Sequence, residues 1–199
     1  MTRVLTVSAG LSQPSSTRLL ADRLAAATRD ALGAGAEMEL VELRDHAHDI
    51  ADHLLTGFAN ENLRPVLDRL SAADGLILVT PTFTASYSGL FKSFVDVLDR
   101  DAVRGKPVLI GATGGTERHS LMLDHALRPL LAYLRAAVVP IGVYAASGDW
   151  GADTDLGRRI TRAGGELAAA VLARPDPEPA DPFTDPVPFE QLLRESTGG

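Results

Sequence analysis

The sequence predicts an α/β fold built on a doubly wound, three-layer parallel sheet. Five short apolar runs alternate with longer segments of helical periodicity along the 199 residues, which is typical of repeated strand–helix units. The runs lack strict alternation of polar and apolar residues, which indicates strands that are buried on both faces. With right-handed crossovers, the simplest order for five such strands is 2-1-3-4-5.

Each predicted strand is a cluster of β-branched and other apolar residues bounded by turn residues. In chain order, the strands are residues 4–7, 38–43, 76–79, 108–112 and 138–144. The segments between and after them repeat apolar residues at helical spacing. These predicted helices are residues 16–32, 63–72, 88–98, 120–134 and 156–173. Together the elements make residues 1–174 one predicted domain.

The composition changes after the last predicted helix. Residues 175–199 hold six of the chain's twelve prolines, so a helix is not expected to continue there. We interpret this segment as a C-terminal arm or tail. As an arm it would pack on a neighbour through apolar side chains, which a purely disordered tail rarely carries. These side chains are Phe183, Phe189, Leu192 and Leu193.

Charge and composition argue against several classes of protein. The formal net charge is −7 and no basic patch occurs, so binding to nucleic-acid backbones is not expected. The chain has no cysteine, which excludes disulfides and thiolate chemistry. Because the N-terminus does not resemble a signal peptide and no apolar run approaches the roughly 20 residues of a membrane span, we expect a cytoplasmic protein without a membrane partner.

In doubly wound sheets, ligands bind beyond the carboxyl ends of the strands, so the loops after strands 1, 3 and 4 are expected to converge. The first loop, residues 8–20, opens with Ser8 and enters a helix through Ser15, Ser16 and Thr17. Hydroxyls and free amides at a helix N-terminus favour a phosphate. The same residues are also ordinary helix caps.

The second and third loops contain further candidate binding residues. The second, PTFTASYSG at residues 81–89, is longer than the usual connection of about two to six residues, which favours a functional loop over a flexible connection. Its Phe83 and Tyr87 offer stacking surfaces. In the third, residues 111–120, Gly114 and Gly115 allow positive φ and close approach of backbone amides to a flat ligand, although such a pair also suits a tight turn.

Other chemistries lack their sequence motifs. The chain has no P-loop sequence, no three-glycine dinucleotide fingerprint and no G-x-S-x-G nucleophile elbow, which disfavours nucleotide triphosphatases, Rossmann dehydrogenases and α/β-hydrolases. The stretch from Asp45 to His53 is rich in His and Asp but lacks the H-E-x-x-H spacing. We therefore expect a polar surface segment there and no metal site.

Three segments in combination, PTFTASYSGLFKSFVD, ATGGTERH and LDHALRPLLAYLRA, resemble the flavodoxin-like NAD(P)H-dependent FMN reductases. The resemblance is strongest to those that supply reduced flavin to two-component alkanesulfonate monooxygenases, and it extends from Arg3 to Tyr144. It implies a flavodoxin-like fold, FMN with NADPH or NADH, hydride transfer from nicotinamide to flavin N5, and a flavin-dependent monooxygenase as partner.

The resemblance also implies where the flavin binds. The first loop, from Ser8 onward, would hold the phosphate through Ser15, Ser16 and Thr17. The ribityl chain and ring would lie along the second loop, and the ring edge would border the third. The remaining predicted positions are Pro81, Thr82, Phe83, Thr84, Ala85, Ser86, Tyr87, Thr113, Gly114 and Gly115. Similar reductases carry an arginine early in the first loop, where this chain has Leu11, Ser12 and Gln13, and Arg18 is the candidate substitute.

Two alternatives share this fold: a flavin-bound quinone or azo reductase, and a non-enzymatic flavodoxin-like electron carrier. We favour the reductase, because loops rich in glycine and threonine would leave one face of the ring open to nicotinamide. No catalytic side chain is assigned, since the flavin supplies the chemistry. The choice between NADPH and NADH stays open, as does FMN as tight cofactor or exchangeable substrate.

The predicted helix from Ser120 to Leu134 has apolar residues over more than one stripe, which favours a homo-oligomer, a dimer or tetramer, through this helix. Pro129 lacks an N–H and would clash with the carbonyl of His125. We therefore predict a kink or π-bulge. The resemblance implies a π-helical insertion near His125 at a tetramer interface close to the flavin.

Overall fold

A computed structural model describes residues 1–151 and 155–174 of the chain. The proline-rich segment, predicted as an arm or tail, lies outside these residues. The strands are β1 (Thr2–Ser8), β2 (Ala36–Glu42), β3 (Gly75–Phe83), β4 (Ser86–Tyr87), β5 (Pro107–Gly114), β6 (Ala137–Val138) and β7 (Val143–Ala146). The α-helices are α1 (Ser16–Leu32), α2 (Ala47–Thr56), α3 (Arg64–Ala72), α4 (Gly89–Asp96), α5 (Arg128–Tyr133) and α6 (Leu156–Leu172).

The main sheet is parallel, and its order is β2-β1-β3-β5, with β6 and β7 both paired to the outer edge of β5. This confirms the predicted order 2-1-3-4-5, but the fifth strand is divided in two. Pro140 lies in the gap and has no N–H for the ladder. The next amide, Ile141, donates instead to Glu166 Oε2 at 3.1 Å.

Apolar side chains cover both faces of the sheet and form two separate clusters. One cluster contains the fully buried Phe91 and Phe94, and the other contains Leu20 and Leu24. On the second face, α1 and α6 pack so closely that a Cβ at Gly164 would lie 2.8 Å from the α1 backbone. The predicted three-layer α/β architecture is confirmed.

Helix α2 was not predicted. The stretch from Asp45 to His53, interpreted as a polar surface segment, forms the end of a 3-10 turn (Leu43–His46) and most of α2. Leu43 and Ile50 are fully buried and anchor this segment against the core, while Gly57 ends the helix in a left-handed conformation. Leu43 and Ile50 are the two buried residues of the segment from Leu43 to Thr56. Two apolar positions are too few to produce a recognisable helical period in the sequence.

The predicted helix from Ser120 to Leu134 is irregular, as expected. A π-helix spans Leu123–Leu127 and is followed directly by α5. The Arg128 N–H donates to the Leu123 carbonyl, five residues earlier. Pro129 lies in the first turn of α5, and the wider π-helical turn before it relieves the clash that a proline causes inside a regular helix. The predicted π-bulge is therefore confirmed. Among the described residues, no helix is both long and apolar enough to span a membrane.

Candidate functional site

The three loops meet in a cleft of about 430 Å³ at the carboxyl ends of the strands. This position follows from the topology, since parallel strands present all their carboxyl ends at one edge. The cleft is lined by Leu11, Ser12, Ser15, Ser16, Thr17, Pro81, Thr82, Phe83, Thr113, Gly114, Gly115 and Ser147. Residues from all three predicted loops therefore surround one space.

The N-terminus of α1 forms one side of the cleft. Ser15 is the N-cap, and its Oγ accepts a hydrogen bond from the Arg18 N–H at 3.2 Å. The first amides of a helix, here those of Ser16 and Thr17, have no intrahelical acceptor and carry the partial positive charge of the helix. Both residues line the cleft. This side of the cleft can therefore bind an anion through neutral donors.

A buried hydrogen bond joins the first loop to the third. Thr17 Oγ1 and Thr113 Oγ1 are 2.8 Å apart, and both side chains are buried. The first loop turns tightly before α1 and leaves no room for a side chain at Gly10, where a Cβ would lie 2.2 Å from Ser15 Oγ. These contacts hold the helix N-terminus beside the end of β5.

Most of the predicted second loop is not loop but strand. Strand β3 continues through Phe83 and pairs with β4 in an antiparallel hairpin. Its two turn residues, Thr84 and Ala85, have φ of 49° and 63°, as in the turns that suit two-residue hairpins. The Thr80 Oγ1 accepts from the Ser88 N–H at 3.0 Å and fixes the hairpin to the start of α4. A hairpin is a stiffer wall for a ligand than an irregular loop.

Gly114 and Gly115 act differently from the prediction. Neither has a positive φ. A Cβ at Gly114 would lie 2.0 Å from the Tyr144 hydroxyl, whereas at Gly115 no described atom lies within 4 Å. Tyr144 donates a hydrogen bond to the Thr116 carbonyl at 3.0 Å and so holds the third loop. Gly114 is therefore required by packing, and Gly115 leaves open space.

Nine predicted residues line the cleft, and five do not. Ser8 is fully buried beneath it, and its Oγ has no hydrogen-bond partner among the described residues. Tyr87 lies half-buried against Phe91, with ring centroids 6.0 Å apart, so of the two predicted stacking rings only Phe83 lines the cleft. The other predicted residues outside the lining are Thr84, Ala85 and Ser86.

Three residues that line the cleft were not predicted from the sequence: Leu11, Ser12 and Ser147. The first two lie in the predicted loop but were noted only as replacing an arginine. Ser147 directly follows β7. Because parallel strands end at a common edge, the residues after the fifth strand were detectable candidates as well.

None of the described residues that line the cleft has an ionisable side chain. Arg18, considered as a substitute for the missing arginine, instead forms ion pairs with Asp22 at 2.9 Å and Glu42 at 3.0 Å. The hydrogen bond to Asp22 raises the pKa of Arg18, partly opposed by burial. Its charge is thus directed to these carboxylates, and the cleft is neutral.

The His- and Asp-rich segment does not assemble a metal centre. Within residues 1–151 and 155–174, no three His, Asp or Glu side chains form a group that could bind a metal ion. His46 lies 3.7 Å from Asp49 within the same segment.

Residues 2–151 match the family model described as NADPH-dependent FMN reductase. The FMN reductase (NADPH) of Pseudomonas aeruginosa is 40% identical over 148 residues, which cover 74% of this chain and 78% of that protein. The NADH-dependent FMN reductase SfnF of Pseudomonas fluorescens is 38% identical over 171 residues, which cover 86% of this chain and 90% of that protein.

Solved structures give the same result. An oxidoreductase from Corynebacterium diphtheriae superposes with a TM-score of 0.85 at 45% sequence identity, covering 88% of this chain and 99% of that one. The apo form of the NADH:FMN oxidoreductase EMOB superposes with a TM-score of 0.79 at 27% identity, covering 93% and 100%. The chain belongs to the NADPH-dependent FMN reductase family.

Proposed function

We propose that the chain binds FMN in the cleft at the carboxyl ends of the strands and reduces it with NADPH or NADH. The observation that carries this proposal is the composition of the cleft. It combines a helix N-terminus, several hydroxyls and an open glycine edge, and its lining, within residues 1–151 and 155–174, includes no ionisable side chain. This combination suits a ligand with an anionic end and a flat, uncharged end.

The anionic end, the FMN phosphate, fits the first loop. The amides at the start of α1 and the hydroxyls of Ser15, Ser16 and Thr17 are donors of the kind that bind phosphate without a lysine or arginine. Ser12 adds a fourth hydroxyl on the same loop. All of these hydrogen bonds are charge-assisted because the phosphate is ionised, but none of the donors carries a formal positive charge, so the phosphate lacks the ion pair that an arginine would add.

The flat end, the isoalloxazine ring, fits between the hairpin and the third loop. Phe83 is 47% exposed at the cleft and offers an apolar surface to the ring. Thr82 Oγ1 is buried without a hydrogen-bond partner among the described residues and is available to a polar edge of the ligand. Gly115 leaves space on the opposite side.

Bound flavin supplies the hydride chemistry, accepting a hydride from nicotinamide at N5. The chain's own residues bind and orient. Backbone amides near Thr113 and Gly114 would stabilise negative charge on the polar ring edge, and the open space at Gly115 admits a second flat molecule. Because the cleft lining in the part of the chain that the structure describes has no ionisable side chain, no residue is assigned as a proton donor.

We further propose that the chain works in the cytoplasm and supplies reduced FMN to a partner monooxygenase. An enzyme that supplies reduced flavin must release it. Uncharged hydrogen-bond donors at the phosphate favour this release. The relative named SfnF is an NADH-dependent FMN reductase, whereas the P. aeruginosa relative is described with NADPH. Both nicotinamides are therefore candidates for this chain.

The irregular helix is our proposed contact between subunits of a homo-oligomer. Leu121 lies just before the π-helix and is an apolar side chain that is 62% exposed. A polar replacement at such a contact should dissociate the assembly. Sedimentation of Leu121→Asp should give a smaller mass than the parent, while Leu55→Asp, an equally apolar exposed site on α2, should not. Equal masses for the parent and Leu121→Asp would reject this contact.

The function is tested by steady-state oxidation of NADPH and NADH with FMN, FAD, riboflavin or a quinone as acceptor. We expect oxidation that depends on added flavin, with FMN preferred to riboflavin. Rapid turnover with the quinone at a fixed trace of FMN would instead indicate a quinone reductase. Binding of FMN without any nicotinamide oxidation would indicate an electron carrier.

A further inference from the structure

A second cavity, of about 210 Å³, lies at the opposite edge of the sheet from the cleft. It is lined by Arg100, Arg104, Tyr133, Leu134 and Arg135, and we call it the arginine cavity. Its residues come from the connection between α4 and β5 and from the turn between α5 and β6. The proposed flavin chemistry uses none of them.

The two connections are hydrogen-bonded to each other. The Gly105 N–H donates to the Arg135 carbonyl at 2.8 Å, and the Ala137 N–H donates to the Lys106 carbonyl at 2.9 Å. Arg135 has a φ of 59°, a left-handed conformation that is unfavourable for a residue with a Cβ. It is held there while its own N–H donates to Ala132 at 2.9 Å. The arginines are thus held around one cavity by a defined backbone.

Three of the five residues that line the cavity are arginines, and the ion pairs that the described residues form engage one of the three. Arg104 pairs with Asp101. Within the part of the chain that the structure describes, Arg100 and Arg135 take part in no ion pair, and both are exposed. Like charges at close range repel, so an anion in the cavity would stabilise this arrangement. Tyr133 adds a largely exposed aromatic ring to the same wall.

The segment that follows the described residues has matching chemistry. Residues 175–199 contain six acidic residues and one basic residue, a net charge of −5 within the chain's −7. Two phenylalanines, Phe183 and Phe189, stand among these carboxylates. A segment that combines carboxylates with aromatic rings complements a cavity that combines guanidinium groups with a tyrosine.

The segment also starts at the correct edge of the sheet. Helix α6 runs back from the cleft edge, and Arg174 at its end donates to the Asp74 carbonyl at 3.3 Å, next to the first residue of β3. Strand β3 pairs with β5, and Lys106 immediately precedes β5. An extended chain covers about 3.3 Å per residue, so the 25 residues of the segment can span the neighbouring strand ends between Arg174 and the arginine cavity.

We propose that the acidic C-terminal segment binds the arginine cavity of its own chain. Its carboxylates pair with Arg100, Arg104 and Arg135, and a phenylalanine packs on Tyr133. The contact ties the end of the chain to the turns before β5 and β6, on the edge opposite the cleft. It does not depend on the proposed reductase activity.

The test is limited proteolysis of the full-length chain by a Glu-specific protease, with cleavage at Glu178 and Glu190 followed by mass spectrometry. Arg100→Gln/Arg104→Gln/Arg135→Gln should be cleaved about fivefold faster than the parent, as expected when a few exposed ion pairs are lost. A matched control, Arg64→Gln/Arg158→Gln/Arg162→Gln, removes three exposed arginines elsewhere and should be cleaved at the parent's rate. Equal rates for the parent and the cavity variant would overturn the proposal.

Two further measurements of the cleavage rate, against salt and against protein concentration, test the same contact. In the parent alone, raising the salt concentration should speed cleavage at both sites, since salt screens exposed charges. A parent rate that does not change with salt would count against the contact even if the cavity variant failed to fold. Protection that increases with protein concentration would show that the segment binds a second copy, and would overturn binding to its own chain.

Discussion

At the residue scale, the cleft depends on close contacts around the third loop. Gly114→Ala would bring a Cβ within 2.0 Å of the Tyr144 hydroxyl, so we expect a loss of about 1–3 kcal/mol in the free energy of unfolding, the usual range for overpacking. Gly115→Ala is the control, since no described atom lies within 4 Å of its Cβ. Chemical denaturation measures both. Adding Tyr144→Phe to Gly114→Ala should recover part of the loss, and no recovery would mean that the strain lies elsewhere.

A second residue-scale prediction concerns the phosphate. Ser16 is exposed, lines the cleft and follows the cap of α1. Ser16→Ala should weaken FMN binding about tenfold, because a hydrogen bond to a charged group contributes about 1.5–3 kcal/mol. Riboflavin, which has no phosphate, should bind almost unchanged. Fluorescence titration compares the two ligands, with Ser71→Ala on α3 as control. Equal losses for FMN and riboflavin would remove Ser16 from the phosphate site.

Residue types at strand ends could be predicted from the sequence, but their contacts could not. The hydroxyls of the first loop and the glycines of the third were found because strand ends converge. The reason for Gly114 was missed, because it depends on Tyr144, a residue of β7 some thirty positions later. The ion pair between Arg18 and Glu42 was missed as well, because Glu42 lies on β2, far from Arg18 in the sequence. Such contacts depend on how the strands are placed side by side.

At the scale of elements, Arg128 stabilises the π-helix by linking it to the chain after β6. Its Nε donates to Asp124 at 3.1 Å, and its Nη1 and Nη2 donate to the carbonyls of Val139 and Pro140 at 3.0 and 2.9 Å. Arg128→Met keeps the aliphatic stem but removes all three bonds. We expect a loss of about 1–3 kcal/mol in unfolding free energy.

The matched control for Arg128 is Arg158→Met. Arg158 is 84% exposed and pairs only with Asp155 among the contacts that the described residues show, so its loss should cost less than about 1 kcal/mol. Hydrogen exchange should also rise in the π-helix of Arg128→Met alone. If both variants lose the same stability and exchange is unchanged, Arg128 is an ordinary surface residue.

The same element shows what local sequence can and cannot predict. Pro129 lacks an N–H, which is a local property, so the disturbance of the helix could be predicted. Helix α2 could not, because it is fixed by the burial of Ile50 against other elements. The hairpin of β3 and β4 was missed because Thr84 and Ala85 are not typical of a turn that needs positive φ.

At the scale of the whole molecule, stability should depend on pH through Lys106. Its Nζ donates to the carbonyls of Leu70 and Ser71 at 2.6 and 2.9 Å. Burial, with repulsion from Arg174, lowers the pKa of Lys106 to about 8. In the unfolded chain a lysine titrates near 10.4. Between these values the unfolded state binds more protons, so the free energy of unfolding rises with pH.

The measurement is denaturation of the parent and Lys106→Met at several pH values. Relative to the variant, the parent should gain on the order of 1–2 kcal/mol between about pH 7.5 and 10. Lys92→Met, at the chain's other lysine, is the control, since the hydrogen bond to Asp96 raises the pKa of Lys92. A parent and a Lys106→Met variant with parallel pH profiles would contradict the buried amine.

The overall architecture was the most predictable level. Strand burial and the strand–helix alternation determine a doubly wound sheet, and this sheet places the ends of β1, β3 and β5 at one edge whatever the details of each loop. The division of the fifth strand at Pro140 leaves this edge intact, because β7 still pairs with the end of β5. Errors in the elements therefore did not change which loops meet at this edge.

The central claim is that nicotinamide reduces FMN within this cleft, and anaerobic mixing tests it most directly. Loss of the oxidised-flavin absorbance is followed after NADPH or NADH is added to the parent with FMN, and to Gly115→Val. The introduced side chain would enter the open space beside Gly115, so the variant should fold. We expect rapid reduction by the parent with at least one nicotinamide, and reduction at least about tenfold slower in the variant. No reduction by the parent with either nicotinamide, or equal rates in the parent and a folded Gly115→Val variant, would contradict the account.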